Sequence, residues 1–177
     1  MREVIRFAWA NSSLGEFMVA MSNKGLVAVE FSSSRPLMEE ALRTRFPGAD
    51  VVGDQTELAD TIAKITRAIE EPGFDPALPL DMRGTAYEIQ VWSMLRALPV
   101  GETVSYGWLS EKLGTHDARD VSKAIASNPI AVLVPCHRVI KKDGSISGYR
   151  WGVKRKRELL ARERQVKLPQ ASPDKEK

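Results

Sequence analysis

Short runs in which apolar side chains dominate, EVIRFAW (3–9), GEFMVAM (15–21) and LVAVEF (26–31), open the chain, and Asn23-Lys24-Gly25 separates the last two. Runs of this length bounded by turn residues predict a small antiparallel sheet. The spacing then changes to that of a helix. PLMEEALRTRF (36–46) and TELADTIAKITRAIEE (56–71) repeat apolar residues every three or four positions, as in Leu58, Ile62, Ile65 and Ile69. A connector rich in proline and glycine, EPGFDPALPLDMRG, follows, and it places a domain boundary near Asp81. The expected organisation is a sheet-and-helix part over 1–80, a second domain over 81–166 and a disordered tail over 167–177.

The second half reads as mostly helical. In TAYEIQVWSMLRAL, Thr85 and Glu88 have the spacing of a capping box, and Tyr87, Val91, Leu95 and Leu98 form one apolar stripe. This predicts a core helix ending at Pro99. SYGWLSEKLG (105–114) and DARDVSKAIASN (117–128) are two short helical segments joined through Gly114 and Thr115, a helix-turn-helix pattern. On the second segment Arg119, Ser122, Lys123 and Ala126 share one face, expected to be exposed. Val121, Ala124 and Ile125 share another, expected to be packed.

The overall charge of +3 conceals an uneven distribution. From Cys136 to Lys167, eleven basic residues stand against three acidic ones, a net +8, so the rest of the chain carries −5. A basic end of this kind points to a polyanionic partner, nucleic acid first. For KRKRELLARER taken alone, a solvated helix face is the more ordinary explanation. No apolar run approaches the roughly 20 residues of a membrane span, and MREVIRFAWANSS lacks the apolar stretch of a secretory signal, so no membrane partner and a cytoplasmic or nucleoid-associated location are expected. A single cysteine excludes an internal disulfide, and His116 and His137 leave little material for a metal centre.

That cysteine, Cys136, lies in VLVPCHRVI. A lone cysteine among apolar residues is usually a small core side chain. Here Pro135 ends a strand-like run just before it. His137 and Arg138 follow with potential positive charge, which would favour the reactive thiolate. Neighbours in an extended segment point to opposite sides, so a relay through water is one way for His137 to reach the thiol.

NPIAVLVPCHRVI, together with RGTAYEIQVW, GETVSYGWL and SGYRWGVKRKRELLARE, resembles the O6-alkylguanine-DNA alkyltransferases, most closely the C-terminal half of the bacterial Ada proteins. The strong match runs from about Arg83 to Glu163. The resemblance implies an α+β fold: an N-terminal antiparallel, ribonuclease H-like sheet with helices, then a mostly helical, winged helix-turn-helix-like domain. It implies stoichiometric transfer of an alkyl group, mainly methyl, from O6-alkylguanine in duplex DNA to Cys136, with O4-alkylthymine as a further substrate, no cofactor or metal, and a monomer.

By the same resemblance, His137 is the base acting through water, Glu163 holds its imidazole, Asn128 fixes the turn before the active segment, and Tyr106 donates to guanine N3. The carbonyls of Cys136 and Val139 accept from the guanine amine. Tyr149 and Arg150 close over the base, with the Arg150 N–H near O6. Arg119 enters the stack in place of the flipped base, and Ser122 and Lys123 lie on the DNA side of its helix. Two departures stand out. Asp120 and Ser122 occupy positions where small residues are usual, and Gly114 and Arg119 are one position closer than in the family. Trp151 also replaces small residues, which predicts a pocket that takes methyl better than benzyl adducts.

Three other readings compete. A non-catalytic alkyltransferase-like lesion binder would lack the nucleophile. A plain helix-turn-helix regulator would leave PCHRVI without a purpose. A cysteine hydrolase would need a glycine-rich oxyanion motif that does not precede Cys136.

Overall fold

The computed structural model describes residues 2–114 and 117–167. His116, the turn residues that set the Gly114 to Arg119 spacing, and residues 168–177 of the expected tail lie outside them.

Strands β1 (Glu3–Ser12), β2 (Gly15–Met21) and β3 (Leu26–Phe31) form the antiparallel meander that their patterns predict. A fourth strand, β4 (Ala49–Gly53), pairs in parallel with β1, so the sheet is mixed, in the order β3-β2-β1-β4. Its ADVVG sequence leaves most of its residues partly or fully exposed, which is why no apolar pattern marks it. Helix α1 (Arg35–Arg45) covers one face of the sheet, where Ile5, Phe7, Trp9, Met18 and Leu42 are buried together. On the other face Phe17, Val19, Val29 and Phe31 pack with Ile65 and Ile69 of helix α2 (Ala59–Glu70). Every residue of β3 is buried, as expected of a strand covered on both faces.

Helix α3 (Ala86–Arg96) begins with the predicted capping box. Thr85 Oγ1 accepts from the Glu88 N–H, and Glu88 accepts from the Thr85 N–H. The helix ends at Arg96, just short of the Pro99 stop. Trp92 on α3 donates its indole N–H to the Ala124 carbonyl at 2.8 Å. A side chain at Gly84 would meet the Trp92 ring at 2.7 Å, so glycine permits this close approach.

Helices α4 (Tyr106–Leu113) and α5 (Ala118–Ala126) form the helix-turn-helix pair. Gly114 closes α4 in the left-handed conformation, φ 77°. On α5, Val121, Ala124 and Ile125 are buried, whereas Arg119, Ser122, Lys123 and Ala126 are exposed, as the spacing predicts. Strands β5 (Val104–Ser105) and β6 (Val139–Ile140) form a small parallel pair, and α6 (Val153–Lys167) closes the described chain.

The same apolar cluster holds Phe17, Val29 and Ile69 from the first half and Trp92, Leu109, Val134 and Cys136 from the second. The edge of β3 continues into the second half through backbone bonds: Val29 N–H to Pro129 O at 3.0 Å and Ala131 N–H to Val29 O at 2.8 Å. No described helix is long and apolar enough to cross a membrane.

Candidate active site

The run before Cys136 is not a strand. After a single bridge from Ile130 to Val29 the chain turns, with Val132 at φ 69°, and Cys136–Arg138 forms one 3-10 turn. Pro135 supplies no backbone N–H and precedes this turn. Consecutive residues of a 3-10 helix project about a third of a turn apart, so Cys136 and His137 diverge here by helical geometry and not by the alternation of a strand.

Asn128 organises the thiol. Its Oδ1 accepts from the Ile130 N–H at 2.9 Å, which fixes the amide orientation. Its Nδ2 then donates to Val134 O at 3.0 Å and lies 3.3 Å from both Ile130 O and Cys136 Sγ. The side chain is fully buried, so each of these bonds offsets a desolvation cost.

His137 Nε2 lies 2.5 Å from Glu163 Oε2. Glu163 also accepts from Arg138, through Nε at 2.8 Å and Nη2 at 3.1 Å, and Arg138 Nη1 donates to Leu98 O at 2.7 Å. Burial opposes the Glu163 charge, but the hydrogen bond to His137 and the Arg138 guanidinium outweigh it and hold the carboxyl at about 2. An anionic Glu163 makes Nε2 the protonated nitrogen of His137. Burial lowers the His137 pKa against the pull of Glu163, so the resting ring is neutral. Its Nδ1, a free lone pair in that tautomer, is buried and has no hydrogen-bond partner among the described residues.

Burial pushes the Cys136 thiol up to about 11, against the Asn128 hydrogen bond and the positive charge of Lys156. The expectation that neighbouring positive charge favours thiolate is therefore corrected. Arg138 spends its charge on Glu163, His137 is neutral, and the thiol is protonated at rest. The thiol opens onto a hollow of about 640 Å³ lined by Tyr106, Ser122, Ile125, Ser147, Tyr149 and Arg150, among others. Tyr106 Oη and Ser147 Oγ are 2.8 Å apart at its wall. Among the described residues no group of three His, Cys, Asp or Glu side chains could hold a metal ion.

Known proteins resemble the chain along most of its length. Residues 86–165 match the family model described as "6-O-methylguanine DNA methyltransferase, DNA binding domain". The inducible methylated-DNA–protein-cysteine methyltransferase of Bacillus subtilis is 38% identical over 153 residues, 85% of each chain. The chain belongs to the O6-methylguanine-DNA methyltransferase family. Another relative, the bifunctional transcriptional activator and DNA repair enzyme Ada of Escherichia coli, is 40% identical over 90% of this chain but only 45% of its own. The chain thus spans under half the length of Ada. The crystal structure of Mycobacterium tuberculosis OGT in complex with DNA superposes with a TM-score of 0.75 at 32% identity, covering 90% of this chain and 93% of that one.

Within this O6-methylguanine-DNA methyltransferase fold, two buried hydrogen-bonded sets, Asn128 with Cys136 and His137 with Glu163, meet at consecutive residues of one turn, and Tyr106, Tyr149, Arg150 and Ser122 line the hollow beside the thiol. Val139 is buried in β6, paired with Val104, and its N–H donates to the Cys136 carbonyl. Arg119 stands apart on the exposed face of α5, tethered only loosely to Asp117 at 3.5 Å. Lys123 lines a different hollow with Asp120 and Glu88.

Trp151 corrects a reading. Its ring lies behind Tyr149, centroids 5.3 Å apart, and it lines a separate basic hollow with Leu14 and Arg155. The Cys136 hollow is bounded by Tyr149 instead, so Trp151 gives no basis for discriminating methyl from benzyl adducts. Sequence reasoning also missed Arg138, Ser147 and the almost fully buried Lys156, whose Nζ reaches Gly148 O at 3.4 Å. Arg138 was legible only as charge beside the cysteine.

Proposed function

We propose that the protein repairs DNA by moving the methyl group of O6-methylguanine in duplex DNA onto Cys136, once per molecule. The observation that carries this reading is that the Asn128–Cys136 pair and the His137–Glu163–Arg138 network meet at consecutive residues, a protonated thiol followed by a neutral imidazole whose Nδ1 has no partner among the described residues. His137 takes the thiol proton through a water relay, and Glu163 stabilises the imidazolium that forms. The thiolate attacks the methyl carbon, an S–C bond forms as the C–O6 bond breaks, and the bonding pair leaves with guanine. Tyr106 donates toward guanine N3 and stabilises the charge developing on the leaving base. The thioether at Cys136 has no route back to thiol, so the reaction is stoichiometric.

The base must leave the stack to reach a buried thiol, at a cost of roughly a few kcal/mol. The exposed face of α5, with Arg119, Ser122 and Lys123, is the surface that meets the duplex, and Arg119, with 91% of its side chain accessible, is free to fill the gap in the stack. The protein acts as a cytoplasmic monomer on this reading, with neither metal nor organic cofactor. O4-alkylthymine is a further substrate of the same pocket.

Intact-protein mass after mixing with a duplex bearing O6-methylguanine tests the proposal, with Cys136→Ala as control. One added methyl group, mapped to Cys136 and saturating at one per molecule, is expected. Binding of the damaged duplex with no mass gain would instead make the protein a lesion sensor.

A further inference from the structure

The first half of the chain lies outside the matched DNA-binding domain, yet its edge strand reaches the reactive hollow twice. One link is the backbone pairing of Val29 with the Pro129–Ala131 segment that follows Asn128. The other is a side chain. Glu30 on β3 is buried, and its Oε1 accepts from Arg150 Nη2 at 2.8 Å. Arg150 comes from the loop that walls the Cys136 hollow, immediately after Tyr149. Its other terminal nitrogen, Nη1, donates to Ser127 O at 3.2 Å and Asn128 O at 2.9 Å, the carbonyls that close α5.

One guanidinium therefore joins three parts: the sheet edge, the C-terminus of the exposed helix and the loop over the thiol. A cation at these carbonyls satisfies acceptors that the helix leaves unpaired and complements its dipole. Glu30 completes the arrangement. A carboxylate at a largely desolvated edge is costly unless paired. Burial raises its pKa, while the charges of Arg150 and Arg45 and a hydrogen bond from Trp151 act in the opposite direction. Arg150 is itself about one-third accessible, and without Glu30 its guanidinium has solvent as an alternative partner.

We propose that Glu30 is a positioning residue for alkyl transfer, acting through Arg150 to hold the Tyr149 loop against the Cys136 hollow and against the C-terminus of α5. The assignment rests on the methyl-transfer reading above. It gives the N-terminal sheet a direct part in the reaction: the sheet edge sets the wall against which the flipped base is held, where displacement of a reacting group by about 1 Å can cost as much as a hundredfold in rate.

The test is single-turnover methyl transfer from an O6-methylguanine duplex, with DNA concentration varied to separate the limiting rate from half-saturation. Glu30→Gln keeps the shape and removes the charge. Arg150→Gln probes the same pair from the loop side and leaves the sheet intact. Glu16→Gln, which breaks the Glu16–Arg35 ion pair on β2, controls for loss of any charge from the sheet. Glu30→Gln is expected to lower the limiting rate about tenfold while leaving half-saturation within about twofold, because the DNA-facing side of α5 is untouched. The Glu30→Gln/Arg150→Gln double variant should be no slower than the slower single variant, the signature of residues acting as one unit. A Glu30→Gln limiting rate within about twofold of the parent, an equal loss in Glu16→Gln, or multiplicative losses in the double variant would overturn the assignment. Failure of the parent protein to gain a methyl group would overturn the methyl-transfer reading itself, a result distinct from each of these.

Discussion

Replacing Arg138 by methionine keeps much of the side-chain volume and removes the counter-charge of Glu163. Three bonds vanish: two to the Glu163 carboxylate and one to the Leu98 carbonyl. Glu163 is then left buried and anionic with His137 as its remaining strong partner. Removing one member of a buried ion pair costs about 3–5 kcal/mol. The pH dependence supplies a sharper check. In the parent protein the Glu163 carboxyl sits at about 2, against 4.5 ordinarily. A depressed carboxylate contributes stability that is full above the unfolded pKa and is lost as pH falls toward the folded one. That contribution is about 3 kcal/mol near neutral pH, and about 1.4 kcal/mol of it is gone one pH unit below the unfolded value. In Arg138→Met the carboxyl rises only part of the way toward its ordinary range, because the hydrogen bond with His137 remains, so part of this acid-linked loss disappears. Urea unfolding at pH 7.5 and about pH 3.5, both in a Cys136→Ala background, measures the two gaps. The variant should trail the parent by about 3–5 kcal/mol at pH 7.5, and the gap should narrow at the acid pH by a part of that ~1.4 kcal/mol, since His137 still holds Glu163. A gap below about 1 kcal/mol at pH 7.5, in the range of a surface ion pair, or one that stays constant with pH, would refute the view that Arg138 holds Glu163 ionised.

Two further outcomes follow from the site. The sole cysteine should react slowly with iodoacetamide near neutral pH and accelerate up to a midpoint near 11, because burial keeps the thiol protonated; labelling that has already levelled off by pH 8 would contradict this. Asp120 is exposed in the first turn of α5, three positions before Lys123, so Asp120→Ala should tighten binding to duplex DNA about two- to fivefold in low-salt fluorescence anisotropy, and an unchanged affinity would remove Asp120 from the DNA-facing surface.

The features legible in the sequence are those fixed by neighbours along the chain. The Thr85–Glu88 capping box, the two faces of α5 and the β1–β3 meander each depend on residues a few positions apart, and each is found as the spacing predicts. What was missed depends on distant partners. Strand β4 carries little apolar signal because its stability comes from a parallel pairing with β1. The run before Cys136 looks like a strand because its residues are apolar, but Ile130, Ala131 and Val134 are buried by packing a turn onto β3, with one bridge at Val29. Trp151 looked like a pocket residue because it follows Tyr149 and Arg150, yet its ring packs behind Tyr149. Arg138 looked like a promoter of thiolate because it lies two positions after the cysteine in sequence, and only the fold reveals that Glu163 takes its charge.

That last point bears on how a single-use nucleophile is kept until it is needed. A thiol activated at rest would be consumed by any soft electrophile that reached it. Here Arg138 is paired with Glu163, Arg150 with Glu30 and the carbonyls at the end of α5, and the pull that Lys156 and Arg150 still exert on the thiol is outweighed by burial. Burial alone then sets the thiol high, at about 11, while Asn128 holds a donor against the sulfur and His137 keeps an unengaged nitrogen. The site is thus arranged for the charge distribution of the transition state rather than that of the resting state. On the proposed reading, proton transfer to His137 becomes favourable only once a base fills the hollow, excludes bulk water and offers a carbon for the developing thiolate to attack. Reactivity is then conditional on the lesion, and the same burial that slows indiscriminate alkylation makes the position of the Tyr149 loop decisive for the rate.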